Sequence, residues 1–190
     1  MNTAWMAGAG LLAVAAMAAA QTPAAGGGRK FTLSSPDIAP GKTIAAAQVF
    51  NGFGCSGGNV SPALSWSNAP AGTKSFALLM HDPDAPTGSG WWHWVVYNIP
   101  ASTTSLPAGA GDPKRGQLPA GAVQGRTDFG TAGYGGPCPP PGKPHRYYLR
   151  IYALKVEKLE VPADATAALI GFNVNAASLG HAELMGLYGR

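Results

Sequence analysis

Hydrophobic positions arrive along this chain in short runs broken by glycine and proline. KFTLSS, TIAAAQVF and PALSW are brief β-like runs, while SFALLMHD (75–82) and WWHWVVYNI (91–99) are longer and bounded by Pro/Gly turns. RYYLRIYALKV (146–156) is the last strong strand pattern. Ten glycines and eight prolines stand between residues 101 and 144, which leaves no room for a regular element of any length. A long ordered loop in a compact domain is usually functional. After KLEVPADA the pattern turns to helical period: Asp164 is placed to cap TAALIGF, and NAASLGHAELMGLYG sets Ala177, Leu184, Leu187 and Tyr188 near one face. This tail reads as a packing element with His181 exposed, and no internal repeat is visible.

Alternation assigns faces within the strands. Trp91, His93, Val95 and Tyr97 fall on one side of the first, and His145, Tyr147, Leu149 and Ile151 on one side of the second. Each strand carries an imidazole on an otherwise aromatic or aliphatic face. In HDPDAPTG, Asp82 and Asp84 stand two apart in a segment that Pro83 and Pro86 bias toward extended conformations, so both carboxylates can point the same way. Taken singly, a solvated acidic turn and a hydrogen-bonded core histidine are the ordinary readings. Together they form a constellation in which Asp82, Asp84, His93, His145 and Tyr147 line one small polar pit in an aromatic wall.

Composition sharpens this picture. The 190 residues suffice for one full core, and 27 Gly, 17 Pro and only 12% charged residues point to a mostly β, loop-rich domain. The net charge of +4 is spread as single Lys and Arg residues with no basic run, which argues against nucleic acid as a partner. MNTAWMAGAGLLAVAAMAAAQTPAAGGGRK has a short polar start, an apolar run of signal-peptide length and small residues ending at Ala20. The expected organisation is therefore a signal peptide at 1–20, a flexible lead-in at 21–29 and the domain at 30–190, with no stable membrane span after cleavage; an uncleaved anchor is the alternative. The protein is expected in the periplasm or secreted. Cys55 and Cys138 both sit in Gly-rich loops, and an even pair in an oxidising compartment points to a Cys55–Cys138 disulfide, against two unpaired small core residues.

Two motif look-alikes carry no function. Gly52-Phe53-Gly54-Cys55-Ser56-Gly57 fits a dinucleotide fingerprint, but Asn59-Val60-Ser61-Pro62 follows where a helix should open. Asp128-Phe129-Gly130 fits a kinase triplet in a chain too short to be a kinase. No zinc-type ligand pair and no nucleophile with a base partner is evident, since Ser61 and Ser89 lie in turns. The expectation is a non-enzyme without metal or cofactor.

DPDAPTGSGWWHWVVYNIP and GYGGPCPPPGKPHRYYLRIYAL resemble the two signature regions of the phosphatidylethanolamine-binding protein family, in its bacterial Raf-kinase-inhibitor-like branch. The resemblance runs on through VFNGFGCSGGNVSPALSW, LPAGAVQGRTDFG and GFNV, covering Phe31 to Arg190. It implies an antiparallel β-sandwich with Greek-key connections, long Gly/Pro-rich loops and a C-terminal helical segment. It also implies a small surface pocket for phosphate-like anions, lined by Asp82, Asp84, Trp91, His93, Gly136, Pro139, His145 and Tyr147. Two imidazoles that protonate near pH ~6.5, a phenol and the backbone N–H groups of Tyr134-Gly135-Gly136 would offer donors to an anion, while Asp82 would fix a His tautomer or meet a ligand ammonium. The expected ligand is phosphate or a phosphoethanolamine-like head group. The alternatives are a protein-interaction module inhibiting a protease or kinase through the same pocket and, further off, a metal-dependent hydrolase.

Overall fold

The longest apolar runs become the three strands on which everything else is hung. The computed structural model describes residues 1–2 and 29–190, so the expected leader and nearly all of the lead-in lie outside the described residues. In chain order the strands are β1 (Thr32–Ser34), β2 (Asn51–Gly52), β3 (Cys55–Ser56), β4 (Leu64–Ser67), β5 (Ser75–Asp82), β6 (Trp91–Pro100), β7 (Ser105–Leu106), β8 (Val123–Gln124) and β9 (His145–Leu154). The helix α1 (Ala167–Ala177) and a last strand, β10 (Ser178–Tyr188), follow. Residues 101–144 hold only the two-residue strands β7 and β8 and one 3-10 turn at Pro113–Arg115, as their glycines and prolines require.

The sheets are antiparallel, in the orders β10-β9-β5-β6-β8 and β1-β4-β7, with β2-β3 a separate hairpin. The spatial run β9-β5-β6-β8 brings the strand after β8 back beside β5, which is Greek-key order. One face of the large sheet, including Leu78, Met80, Trp94, Val96, Leu149 and Ile151, packs on Leu33, Leu64, Trp66 and Leu106 of the small sheet. Its other face, with Ala77, Leu79, Val95, Tyr97 and Leu154, is covered by Ile170 and Val174 of α1. Burial of such apolar surface on both faces is the main stabilising term of the fold.

Three elements differ from their expected form. TIAAAQVF is no strand: past Thr43, which bridges to Leu187, it winds into turns in which Gln48 and Val49 donate to the carbonyls of Ala45 and Ala46. Its three alanines include no β-branched side chain to favour extension, and the carbonyls of Ala46 and Ala47 accept from Gly58 and Val60 instead. Thr166, and not Asp164, caps the helix, its hydroxyl accepting from the Leu169 N–H at 3.2 Å. The helix stops at Ala177, and residues 178–188 form β10, paired along β9 from Ser178↔Leu154 to Tyr188↔His145. Ala182, Leu184 and Gly186 are buried while His181 and Glu183 are exposed, a period of two. His181 is exposed as expected, but on a strand.

An irregularity in β6 re-aims its side chains. Met80 pairs with Trp94 and His81 with Trp92, so His93 is an extra residue, a β-bulge. His93 and Trp94 consequently both turn toward the small-sheet side, while Trp92, Val95 and Tyr97 face the helix side. The single face expected for Trp91, His93, Val95 and Tyr97 is broken at that bulge. His145, Tyr147, Leu149 and Ile151 do share a face, since β9 pairs with β5 without interruption.

Candidate functional site

At the C-terminal end of β5 and the N-terminal ends of β6 and β9, a pit of about 220 Å³ opens to the surface. Of the residues expected there, Asp82, Trp91, His93, Pro139, His145 and Tyr147 line it. Asp84 and Gly136 do not.

The floor begins with Asp82, which is only 2% exposed. One carboxylate oxygen accepts the Asp84 backbone N–H at 2.8 Å, closing the Asp82-Pro83-Asp84 turn, and the other accepts from His145 Nδ1 at 2.8 Å. Asp84 is turned outward by that same turn. Its carboxylate accepts from Arg146 Nη2 at 2.6 Å, and from Arg146 Nε and backbone N–H at 2.9 Å each. This forked ion pair holds the Asp84 pKa down at about 2. The two aspartates therefore do not point the same way.

His93 is 4% exposed and sits edge-on between Tyr147 and Phe129, at ring-centroid separations of 5.1 and 5.5 Å. Its Nδ1 lies 2.7 Å from the carbonyl oxygen of Gly135, which can only accept, so the hydrogen is on Nδ1. Burial pushes the His93 pKa down to about 4. Near neutrality Nε2 is thus an acceptor, not the donor expected for an anion.

Tyr147 is 0% exposed, and its hydroxyl completes no hydrogen bond of good distance and angle among the described residues, the Asp82 carboxylate being the one acceptor close enough to act on it. Burial, with the neighbouring Asp82 carboxylate second, pushes its pKa above the usual phenol range. A buried hydroxyl without a partner costs about 1–3 kcal/mol, which a ligand in the pit would recover.

The backbone donors expected from Tyr134-Gly135-Gly136 are already in use. Tyr134 N–H donates to Gly111 O, Gly135 N–H to His93 O and Gly136 N–H to Asn59 Oδ1. Gly136 serves packing instead, since a Cβ there would lie 2.0 Å from the carbonyl oxygen of Gln48.

The walls hold residues that sequence reasoning missed. Phe129, from the Asp-Phe-Gly look-alike, stacks with Phe53, packs tilted on Phe50 and meets Trp91 edge-on at 5.4 Å. Phe53 stands at the mouth, 65% exposed, on the two-residue turn between β2 and β3. Both turn residues have positive φ, 53° at Phe53 and 82° at Gly54, as a type I′ hairpin requires. Phenylalanine is rare in that conformation, and unusual backbone geometry is characteristic of functional sites. The expected Cys55–Cys138 bridge is present and ties this hairpin to the Pro139 wall. Arg190 ties the same two pieces through the carbonyls of Pro139 (2.7 Å), Gly54 (3.2 Å) and Phe53 (3.2 Å). Among the described residues there is no cluster of three or more His, Cys, Asp or Glu able to hold a metal, and no helix long and apolar enough to cross a membrane.

A Greek-key sandwich with one polar-floored pit at the ends of its central strands defines a class, that of the phosphatidylethanolamine-binding proteins. The chain belongs to that family, whose model matches residues 34–189. Among its relatives, the UPF0098 protein YbcL of Escherichia coli K12 is 54% identical over 159 residues, covering 83% of this chain and 87% of that protein. YbhB of the same organism is 48% identical over 156 residues, covering 82% and 98%. The crystal structure of E. coli YbcL superposes with a TM-score of 0.82 at 53% identity, over 84% of this chain and 98% of that one. A phosphatidylethanolamine-binding protein homologue from Chlamydia trachomatis gives 0.70 at 34% identity, over 84% and 97%.

Proposed function

We propose that this protein is an exported, non-catalytic binder of a small phosphate-like anion, free or as a phospholipid-type head group. The observation that carries the reading is Tyr147, whose hydroxyl is buried at the pit with no well-formed hydrogen bond to the protein and only the Asp82 carboxylate nearby. A phosphate oxygen is a suitable acceptor for it. His145, fixed by Asp82, adds a second polar edge, and the aromatic and proline walls would exclude water from around a bound ligand, which would strengthen each polar contact. Asp82 suits a zwitterion, because its carboxylate attracts an ammonium tethered to the phosphate. Export is supported by the leader-like N-terminus and by a disulfide of the kind that persists in oxidising compartments.

Calorimetric titration with phosphate and O-phosphoethanolamine tests the reading. Wild-type protein should bind one equivalent, and Tyr147→Phe should weaken binding by about 0.5–1.5 kcal/mol. Asp82→Asn should favour phosphate and disfavour phosphoethanolamine. Absence of binding by either ligand, or binding indifferent to both substitutions, defeats the proposal.

A further inference from the structure

The pit has an unusual charge balance for an anion site. Asp82 is its one carboxylate, and no lysine or arginine is among the described residues lining it. The nearby guanidinium groups are engaged elsewhere, Arg146 on the outward Asp84 and Arg190 on carbonyls of the wall loops. An anion bearing two charges would meet the Asp82 carboxylate between phenylalanine, tryptophan and proline walls, with only imidazoles and a phenol to answer it. Low-dielectric surroundings make that repulsion costly.

The hydrogen-bond polarity of the floor is equally selective. Tyr147 supplies a donor, whereas His93, which lines the pit with its Nδ1 hydrogen committed to Gly135 O, has only a lone pair left on Nε2 for a ligand. The titratable groups around His93 are Asp82 and His145 across the pit, Tyr147 edge-on, and His81 on the reverse face of β5. Asp82 favours protonation of His93 and His81 opposes it, but burial outweighs both. An unprotonated oxyanion placed here would set lone pairs against the His93 lone pair.

We infer that the pit reads a proton on its ligand: it accepts a phosphate monoester as the monoanion, P–O⁻ accepting from Tyr147 and P–OH donating to His93 Nε2, and rejects the sulfate ester of the same shape. The inference rests on the phosphate-like reading above and narrows it. A site built to hydrogen-bond a ligand hydroxyl discriminates strongly against an analogue lacking it, because its own polar group is then left unpaired.

Phenyl phosphate and phenyl sulfate make the comparison direct. At pH 5 both are monoanions, since the second ionisation of a phosphate monoester lies near pH ~6, and they differ by that one hydrogen. Calorimetry at pH 5 should show phenyl phosphate binding at least about tenfold tighter. Raising the pH to 8 should weaken phenyl phosphate more than phenyl sulfate, so that the preference shrinks. His93→Phe should narrow the preference to less than about threefold, while Tyr147→Phe should weaken both ligands and leave their ratio intact. Should His93→Phe fail to show a cooperative thermal transition, the wild-type ratio and its pH dependence carry the test alone. Binding of both esters within about twofold at pH 5 overturns the inference and leaves phosphate-like binding standing. If neither ester nor inorganic phosphate binds, the phosphate-like reading falls and takes the inference with it.

Discussion

His145 Nδ1 donates to Asp82 across 2.8 Å, joining the start of one central strand to the end of another 63 residues earlier in the chain. The carboxylate is nearly inaccessible to water, so its charge depends on that imidazole and on the Asp84 N–H. Removing one partner of a buried pair leaves an uncompensated charge. His145→Ala should therefore destabilise the protein by about 3 kcal/mol at pH 7 in denaturant titration. The double variant with Asp82→Asn should lose less than the sum of the single losses, because the stranded charge is then gone.

The free and ligated proteins should respond oppositely to Tyr147→Phe. Without ligand, loss of an unpartnered buried hydroxyl should leave stability unchanged or raise it by up to about 1 kcal/mol. With ligand the same change removes a hydrogen bond. Melting temperatures with and without saturating phosphate separate the two effects, and a large loss of stability in the ligand-free variant would show a partner for the hydroxyl within the protein.

Acid should weaken the fold in two windows. The native His93 pKa of about 4 lies below its ordinary value of 6.5, so the unfolded chain binds the proton more readily. Stability from this group is full above pH 6.5 and lost as pH falls toward 4, by about 3 kcal/mol in all. His93→Asn should flatten unfolding free energy across that interval. Asp84 is depressed from 3.8 to about 2, so its contribution is present above pH 3.8 and disappears only between there and 2. Asp84→Asn should leave the upper window untouched.

Cys55 and Cys138 lie 83 residues apart, and closing a loop of that length restricts the unfolded chain by about 4–5 kcal/mol in the chain-entropy account. A Cys55→Ala, Cys138→Ala double variant should unfold at correspondingly lower denaturant concentration. The oxidised, denatured wild type should show no titratable thiol.

Gly136→Ala should be among the most damaging single changes outside the core. Its Cβ would lie 2.0 Å from Gln48 O and 2.6 Å from Phe50 N, both backbone atoms that no side-chain rotation can move aside. A loss above about 3 kcal/mol is expected in thermal or chemical unfolding.

Particular residues show what the sequence makes legible. Strands β5, β6 and β9 stand out because each is a long apolar run fenced by proline or glycine, and family motifs on them lead to Asp82, His93, His145 and Tyr147. The bulge at His93 leaves no such mark, since WWHWVV is apolar on both sides of the histidine and both faces of this sheet are buried. Polar alternation, the usual indicator of a face, is then missing. The helical expectation for the tail fails for a related reason: Ala177, Leu184, Leu187 and Tyr188 fit a helical face in isolation, and only the open edge of β9 makes a strand the better partner. Asp84 turned outward because Arg146, distant in sequence, offers a forked partner there. Phe129 lies in a loop, where neither period applies.

The two loops that carry Phe53 and Pro139 are joined by a covalent bridge and by the Arg190 guanidinium. A mouth held in this way presents a finished opening to an arriving molecule. Arrival is then governed by diffusion and orientation, and differences between ligands appear chiefly in how long each one stays. Residence time measured by stopped-flow dissociation is then the quantity that ranks one candidate ligand against another.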